Sequence, residues 1–392
     1  MSVMKAKDKK YIANTFNRYN VEFSRGKGAV LYGKDGKEYI DMVAGVAVSL
    51  LGYNDPAVNA AIKAQVGRYT HLSNWFFSDS QIKLAEKLVT LNGWGKVFYV
   101  NSGAEAVEVA IKIARKWGML HKGGANEIIT MKNSFHGRTI NALSATGQEK
   151  FHKYLNPRAP GYSYAEFNDI KSLEKLVTKK TAAVLIEPVQ CEGGVHVAEK
   201  KYMKALASLC KKEKILLIAD EIQTGLGRTG KFFAYMHYGI KPDMVVAAKG
   251  LGGGLPLSCV IGGEKALSVY GAGDHGTTMG GNPVSCAAGF AAVTKVSSKK
   301  MGAEASKKGG YLAGRLACLH TDRVREVRGL GLIVGVEFDS DIGPEVTKKA
   351  LEKGLIINCP KPNIIRLVPP LVINKKQIDR AVGILKEVLE EI

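Results

Sequence analysis

The chain is expected to adopt an α/β fold: a large domain with a mostly parallel sheet flanked by helices, and a smaller α+β domain beside it. Three features lead there. Apolar runs of four to six residues recur through the middle of the chain, helix-like stretches separate them, and polar residues stand at or just past several run ends. Short runs that are apolar throughout read as strands buried on both faces, the burial that crossover helices give a parallel sheet.

In chain order, the stretch VLYGKDGKEYIDM (30–42) reads as a hairpin, with Lys34-Asp35-Gly36 as its turn. KVFYVN (96–101) is the first buried strand, and Ser102-Gly103 opens the helix-like run AEAVEVAIKIARKWG (104–118). EIITMK (127–132) and TAAVLIE (181–187) follow as strands, then a helix over 199–212, then the strands ILLIAD (215–220) and MVVAA (244–248). Asn101, Glu187, Asp220 and Lys249 thus fall at the ends of strands, where parallel sheets bind ligands. Beyond about residue 288 the pattern is a long helix, the strand pair VRGLGLIVGVEF, another helix and a final strand–helix unit. The expected division is residues 1–48 as an N-terminal segment joining the small domain, 49–287 as the large domain and 288–392 as the C-terminal small domain.

The 392 residues are 46% hydrophobic, 8% aromatic and 23% charged, which suits a protein with a sizeable core and excludes a disordered or collagen-like chain. No apolar run approaches the roughly 20 residues that cross a bilayer. The charged N-terminus (Lys5, Lys7, Asp8, Lys9, Lys10) lacks the apolar centre of a secretory signal. The six cysteines are scattered with no CxxC pair, so no zinc ribbon or redox dithiol is expected, and reduced thiols in the cytoplasm are the simplest reading. The net charge of +20 raises nucleic acid as a partner. The lysines are spread in short runs without a basic tail or a nucleic-acid motif, which favours a basic solvated surface that attracts small anions.

One motif misleads. GLGRTG (225–230) satisfies GxGxxG, and with Lys231 most of a phosphate-binding P-loop, but Phe232 stands where the magnesium-binding hydroxyl belongs. The motif does not follow its strand directly, and the acidic ribose ligand expected near position 250 is replaced by glycines. Neither HExxH nor GxSxG occurs. Lys249 is more informative: it ends a buried strand and precedes four glycines in five residues. A desolvated lysine there can act as an amine nucleophile, and pyridoxal 5'-phosphate is the common cofactor that uses one. That cofactor needs a carboxylate at its ring nitrogen (Asp220), N–H groups at a helix start for its phosphate (Ser102, Gly103, Ala104) and an aromatic against its ring (Phe135).

At these residues the chain resembles the class III, fold type I, pyridoxal-phosphate aminotransferases. The likeness runs from about Tyr19 to Pro370 through DMVAGVAVSLLGYNDPAV (41–58), FYVNSGAEAVEVAIKIAR (98–115), SFHGRT (134–139), EPVQCEGGV (187–195), ADEIQTGLGRTG (219–230), KGLGGGLP (249–256), HGTTMGGNP (275–283) and VRGLGLIVGVE (327–337). Within that class, AGVAV (44–48), HLSN (71–74) and the HGTTMGGNP loop are most similar to the acetylornithine branch.

The resemblance implies roles. Lys249 would form the imine and then carry the proton, Asp220 would pair with the ring nitrogen, and Gln223 would contact the ring hydroxyl. Phe135 and Ile222 would sandwich the ring. Ser102, Gly103 and Ala104 would bind the phosphate, helped by Thr278 from a partner subunit, so the site would be complete only in a homodimer. Arg366 would clamp the α-carboxylate of glutamate or 2-oxoglutarate, with Glu192 pairing to it when a substrate presents none. Arg138 would hold the acylated donor's carboxylate, and Tyr19 would line the pocket. The implied reaction moves the ω-amino group of N2-acetylornithine to 2-oxoglutarate, in arginine biosynthesis. Other ω-amines (N-succinyldiaminopimelate, succinylornithine, ornithine, 4-aminobutyrate or a carrier-bound lysine precursor) and an aminomutase on the same fold stand as alternatives. Ala104 stands where many members have threonine, which suits the site if only its N–H is used; Asn20, where proline is common, and the bulky Trp75-Phe76 bear on the acyl group more than on the reaction. No metal is expected.

Overall fold

A computed structural model describes residues 3–319 and 321–392, so the first two residues of the expected N-terminal segment lie outside the described residues. The central sheet has seven strands, in the spatial order Lys96–Val100, Ser258–Gly262, Met244–Ala247, Leu216–Asp220, Thr181–Ile186, Glu127–Met131 and Tyr162–Ala165. Ser258–Gly262 runs antiparallel to both its neighbours, and the remaining pairings are parallel. Nothing local distinguishes this strand in the sequence, where SCVIG opens on a polar serine directly after a glycine-rich loop.

The period of two along each strand decides what covers each face. Ala183, Leu185, Leu216 and Ile218 meet the helix Gly103–His121 through Val107, Ala110, Ile111 and Ala114. The alternate residues Val184, Ile186 and Leu217 meet Leu173, Met203 and Leu206 from the helices Ile170–Leu176 and Lys200–Lys212. Both faces are therefore dry, and each fully buried aliphatic side chain contributes about 1.5–3 kcal/mol. A charged residue at Ile218 or Leu217 would lose that and leave an unpaired buried charge.

A second antiparallel sheet of Val324–Gly329, Val334–Phe338, Ile364–Leu367 and Asn358–Lys361 occupies the C-terminal part. The N-terminal hairpin strands Val30–Gly33 and Glu38–Asp41 pair as expected from the turn, and Glu38–Asp41 also pairs in parallel with Leu355–Ile356. What read as one long helix beyond 288 is two, Pro283–Val296 and Lys299–Ala317, because Ser298 caps the second through the Met301 N–H. The first packs on the helices Pro56–Val66 and Asp79–Asn92, so the expected boundary at 287/288 falls inside a continuous helix.

Residues 44–47 form a left-handed turn, with φ of +52° at Ala44 and +64° at Val46 and Ala47. Left-handed backbone costs non-glycine residues roughly 1–2 kcal/mol each. The buried Asp41 carboxylate holds the entry to the turn, accepting from the Val43 and Ala44 N–H groups at 2.7 and 2.9 Å and from the Tyr53 hydroxyl at 2.6 Å. The turn presses Ala47 against Val189, Cys191, Val195 and Val368, which flank the segments carrying Glu192 and Arg366.

Candidate active site

A cleft of about 260 Å³ opens beyond the carboxyl ends of the strands, lined among others by Gly103, Ala104, Phe135, Asp220, Ile222 and Lys249. They come from four separate segments of the chain, and each arrives for a local reason. Asp220 is the last residue of its strand, Lys249 lies two residues past the next strand, and Gly103 begins the helix after Lys96–Val100. Lys249 has φ +51°, a left-handed backbone that costs a lysine about 1–3 kcal/mol and turns the chain sharply at the strand end.

Asp220 is buried and doubly held. Its Oδ2 lies 2.7 Å from His136 Nδ1, and its Oδ1 accepts from the Ile222 N–H at 3.1 Å. His136 is in turn anchored by its own N–H, which donates to Thr146 Oγ1 at 2.9 Å. The carboxylate therefore cannot rotate away from the cleft without breaking two bonds. Glu187 accepts from the Phe135 N–H at 2.9 Å and so fixes the aromatic residue. Burial, and then the charge of Asp220, raises the Glu187 carboxyl well above its ordinary value. Burial pushes the Lys249 amine below the ordinary lysine value, opposed by the nearby Glu192 charge and reinforced by Arg366.

The helix Gly103–His121 starts with a capping box: Ser102 Oγ accepts from the Glu105 N–H, and Glu105 Oε2 accepts from the Ser102 N–H at 2.7 Å. The Gly103 and Ala104 N–H groups have no intrahelical acceptor and sit at the positive end of the helix dipole. The helix start packs closely on the cleft wall: a Cβ at 103 would lie 2.9 Å from Ile222 Cδ1 and would push that side chain.

Beside Lys249, Arg366 is almost fully buried on the strand Ile364–Leu367. Its Nη1 donates to Glu192 Oε1 at 2.6 Å and to Gln223 Oε1 at 3.0 Å, and its Nε donates to Asn358 Oδ1 at 3.2 Å. Burial alone would raise the Glu192 carboxyl, but the charge and hydrogen bond of Arg366 outweigh it and hold the group below its ordinary value.

The cleft thus collects the sequence-predicted Gly103, Ala104, Phe135, Arg138, Asp220, Ile222, Gln223 and Lys249; Ser102 caps the helix at its edge, and Glu192 and Arg366 stand at its side. Arg138 is exposed, its guanidinium 4.0 Å from the Phe151 ring centre and 5.6 Å from that of Phe135. Two predicted residues stand apart. Tyr19 is exposed on the N-terminal segment, and Thr278 lines a separate hollow with His71, Asn74 and Trp75. Three others received no role from the sequence: His136 behind Asp220, Glu187 behind Phe135, and Asn358 behind Arg366. Position in the chain could have marked His136, which follows Phe135, and Glu187, which directly follows a strand; nothing local marks Asn358.

The residues fit pyridoxal phosphate on the structure's own terms: free helix-start N–H groups for a phosphate, an aromatic and an aliphatic wall for a flat ring, a fixed buried carboxylate for a ring nitrogen, and a desolvated amine. The family model for class-III aminotransferases matches residues 11–389. The chain is similar to an acetylornithine aminotransferase of Caldanaerobacter subterraneus subsp. tengcongensis, 46% identical over 98% of each chain. Among solved structures it is similar to an ornithine aminotransferase of Toxoplasma gondii described with PLP at its active site, with a TM-score of 0.94 and 34% identity over 99% of this chain and 94% of that one. It is also similar to an acetylornithine aminotransferase of Elizabethkingia anophelis, with a TM-score of 0.89 and 32% identity over 99% and 98%. The chain belongs to the class-III aminotransferases, the pyridoxal-phosphate enzymes that the sequence alone led us to expect.

Proposed function

We propose that this enzyme transfers the ω-amino group of N2-acetylornithine to 2-oxoglutarate, giving N-acetylglutamate 5-semialdehyde and glutamate, as a step of arginine biosynthesis. The observation that carries the reading is the Glu192–Arg366 pair at 2.6 Å, set beside Lys249. A buried guanidinium that a partly exposed carboxylate can cover or release serves two kinds of substrate at one position. With Glu192 in place, an amine-bearing carbon that carries no carboxylate meets a neutralised pair. With Glu192 withdrawn, the α-carboxylate of 2-oxoglutarate takes the planar two-point contact of Arg366.

Bound pyridoxal phosphate supplies the electron sink that lets a C–H bond beside nitrogen break. Asp220 holds a proton at the ring nitrogen, its orientation fixed by His136 and the Ile222 N–H. Lys249 takes and returns the substrate proton; its lowered pKa leaves more of the amine neutral near pH 7 than an ordinary lysine would be. Ser102, Gly103 and Ala104 would hold the phosphate, Phe135 and Ile222 would sandwich the ring, and Gln223 would contact the ring hydroxyl. Arg138, at the rim of the cleft, receives the carboxylate of the acylated donor.

The functional unit in this reading is a cytoplasmic homodimer. Trp75, which shares a hollow with Thr278, is 90% exposed, and its chain neighbours Phe76 and Phe77 and the Met279 beside Thr278 are exposed too, apolar side chains of the kind that subunit interfaces cover. Across it, Thr278 of the partner subunit would reach the phosphate. All six cysteines are free, as in a reducing compartment, and no helix among the described residues is long and apolar enough to cross a membrane.

The test is glutamate formation by the holoenzyme with 2-oxoglutarate and a panel of amines: N2-acetylornithine, ornithine, succinylornithine, N-succinyldiaminopimelate and 4-aminobutyrate. N2-acetylornithine should give the highest kcat/KM, with no turnover when 2-oxoglutarate is left out. A higher value for another amine would reassign the donor, and turnover without any 2-oxo acid would replace the transferase by an aminomutase.

A further inference from the structure

The GLGRTG stretch that imitates a nucleotide-binding loop holds Arg228, a side chain with no solvent exposure at all. Its Nη1 donates to two carbonyls from separate segments, Leu332 O at 3.3 Å and Pro369 O. The backbone repeats the link, with the Leu332 N–H donating to Arg228 O at 3.0 Å. The approach is so close that Gly331, at φ +57°, has no room for a side chain: a Cβ there would lie 2.6 Å from the Thr229 backbone.

The bridged segments are those that present Arg366. Leu332 leads into the strand Val334–Phe338, in which Gly335 is paired with Arg366, and Pro369 lies three residues beyond Arg366. Five residues before Arg228, Gln223 accepts directly from Arg366 Nη1 at 3.0 Å. One loop, springing from the strand that ends at Asp220, therefore grips the Arg366 hairpin at its side chain and at its base. Burial lowers the Arg228 pKa to about 10, and its Nε and Nη2 have no hydrogen-bonding partner among the described residues. A well-packed apolar side chain would fill such a site at less cost if filling were all that was needed.

We propose that Arg228 is a positioning residue that sets Arg366, and with it the 2-oxoglutarate carboxylate, relative to the Asp220 end of the cleft. The inference rests on the reading of Arg366 as the carboxylate clamp. Displacing such a contact by about 1 Å can cost on the order of a hundredfold in rate, although the displaced group itself is unchanged. The donor half-reaction, in which Glu192 covers Arg366, needs no carboxylate there and should be spared.

The experiment follows the cofactor absorbance of the holoenzyme through single turnovers, first with N2-acetylornithine and then with 2-oxoglutarate, for wild type, Arg228→Met, Arg228→Lys and Arg366→Lys. We expect Arg228→Met to raise the 2-oxoglutarate half-saturation about tenfold or more and to keep the donor step within about twofold, with Arg228→Lys in between. Both half-reactions falling together, or neither changing, would overturn the inference. If Arg228→Met does not fold, Arg228→Lys decides by the same split, and a lysine variant with wild-type behaviour in both steps would count against the role. If Arg366→Lys leaves 2-oxoglutarate saturation unchanged, the clamp reading itself fails; if it does not, and only the Arg228 variants lack the split, the positioning role alone is wrong.

Discussion

The two ends of the cleft are built differently. The cofactor end comes from one sheet: Asp220 and Lys249 stand at the ends of neighbouring parallel strands, Gly103 at a helix start beyond another, and His136 braces Asp220 from behind while Glu187 braces Phe135. The carboxyl-binding end is assembled from scattered pieces, with Arg366 on the C-terminal sheet, Glu192 and Gln223 on turns, and Arg138 exposed. The cofactor end is braced by buried hydrogen bonds to a carboxylate that has little freedom to move. The substrate end centres on the Glu192–Arg366 ion pair, which in the proposed reaction opens and closes once per cycle. In the proposed function, the chemistry shared by many substrates sits on the rigid part, and the choice among substrates sits on the adjustable part.

That contrast can be broken most severely at Lys249. Replacing it with alanine removes the proton carrier, and turnover should fall by about 10⁴-fold or more, measured as glutamate formation. Asp220→Asn keeps the shape and removes the charge; turnover should fall by about 10²–10³-fold in both half-reactions, because the rigid end serves both substrates. Equal damage to the two halves is what distinguishes that end from the other.

Arg366→Lys should separate the halves. Loss of the two-point contact should weaken 2-oxoglutarate by about 2 kcal/mol, roughly thirtyfold, while the donor half changes little. Glu192→Gln should do the opposite on a smaller scale, lowering the 2-oxoglutarate KM a few-fold because no anion competes for Arg366. The pH dependence sharpens this. A depressed Glu192 pKa means the ion pair stands at neutral pH and is lost only as pH falls through a value below the ordinary 4.5. The wild-type to Glu192→Gln ratio of KM should therefore stay flat between about pH 6 and 8, and a slope there would place the titrating group elsewhere.

The rigid end was legible in the sequence because its parts are local. An apolar run ending in Asp220, a lysine before a glycine loop, and Ser102-Gly103 before an amphipathic run each carry their meaning within a few residues. Parallel pairing does the rest by bringing strand ends to one edge. The substrate end was legible only through family likeness, since Arg366, Glu192 and Asn358 lie far apart in the chain and meet by tertiary packing. Arg228 shows the limit most clearly: its motif imitates a phosphate loop, and only the structure shows the side chain turned inward onto Leu332 and Pro369. The left-handed turn at 44–47 was also invisible, because only Gly45 takes such backbone readily while Ala44, Val46 and Ala47 do not, and the Asp41 carboxylate that holds its entry precedes it.

The claim beneath all of this is that the chemistry is centred on Lys249 facing a carboxylate fixed at Asp220. Borohydride reduction of the purified holoenzyme, followed by digestion and mass spectrometry of the peptides, addresses it directly. The expected result is a phosphopyridoxyl group on Lys249 and on no other lysine; attachment at another of the chain's lysines, with Lys249 recovered unmodified, would contradict it.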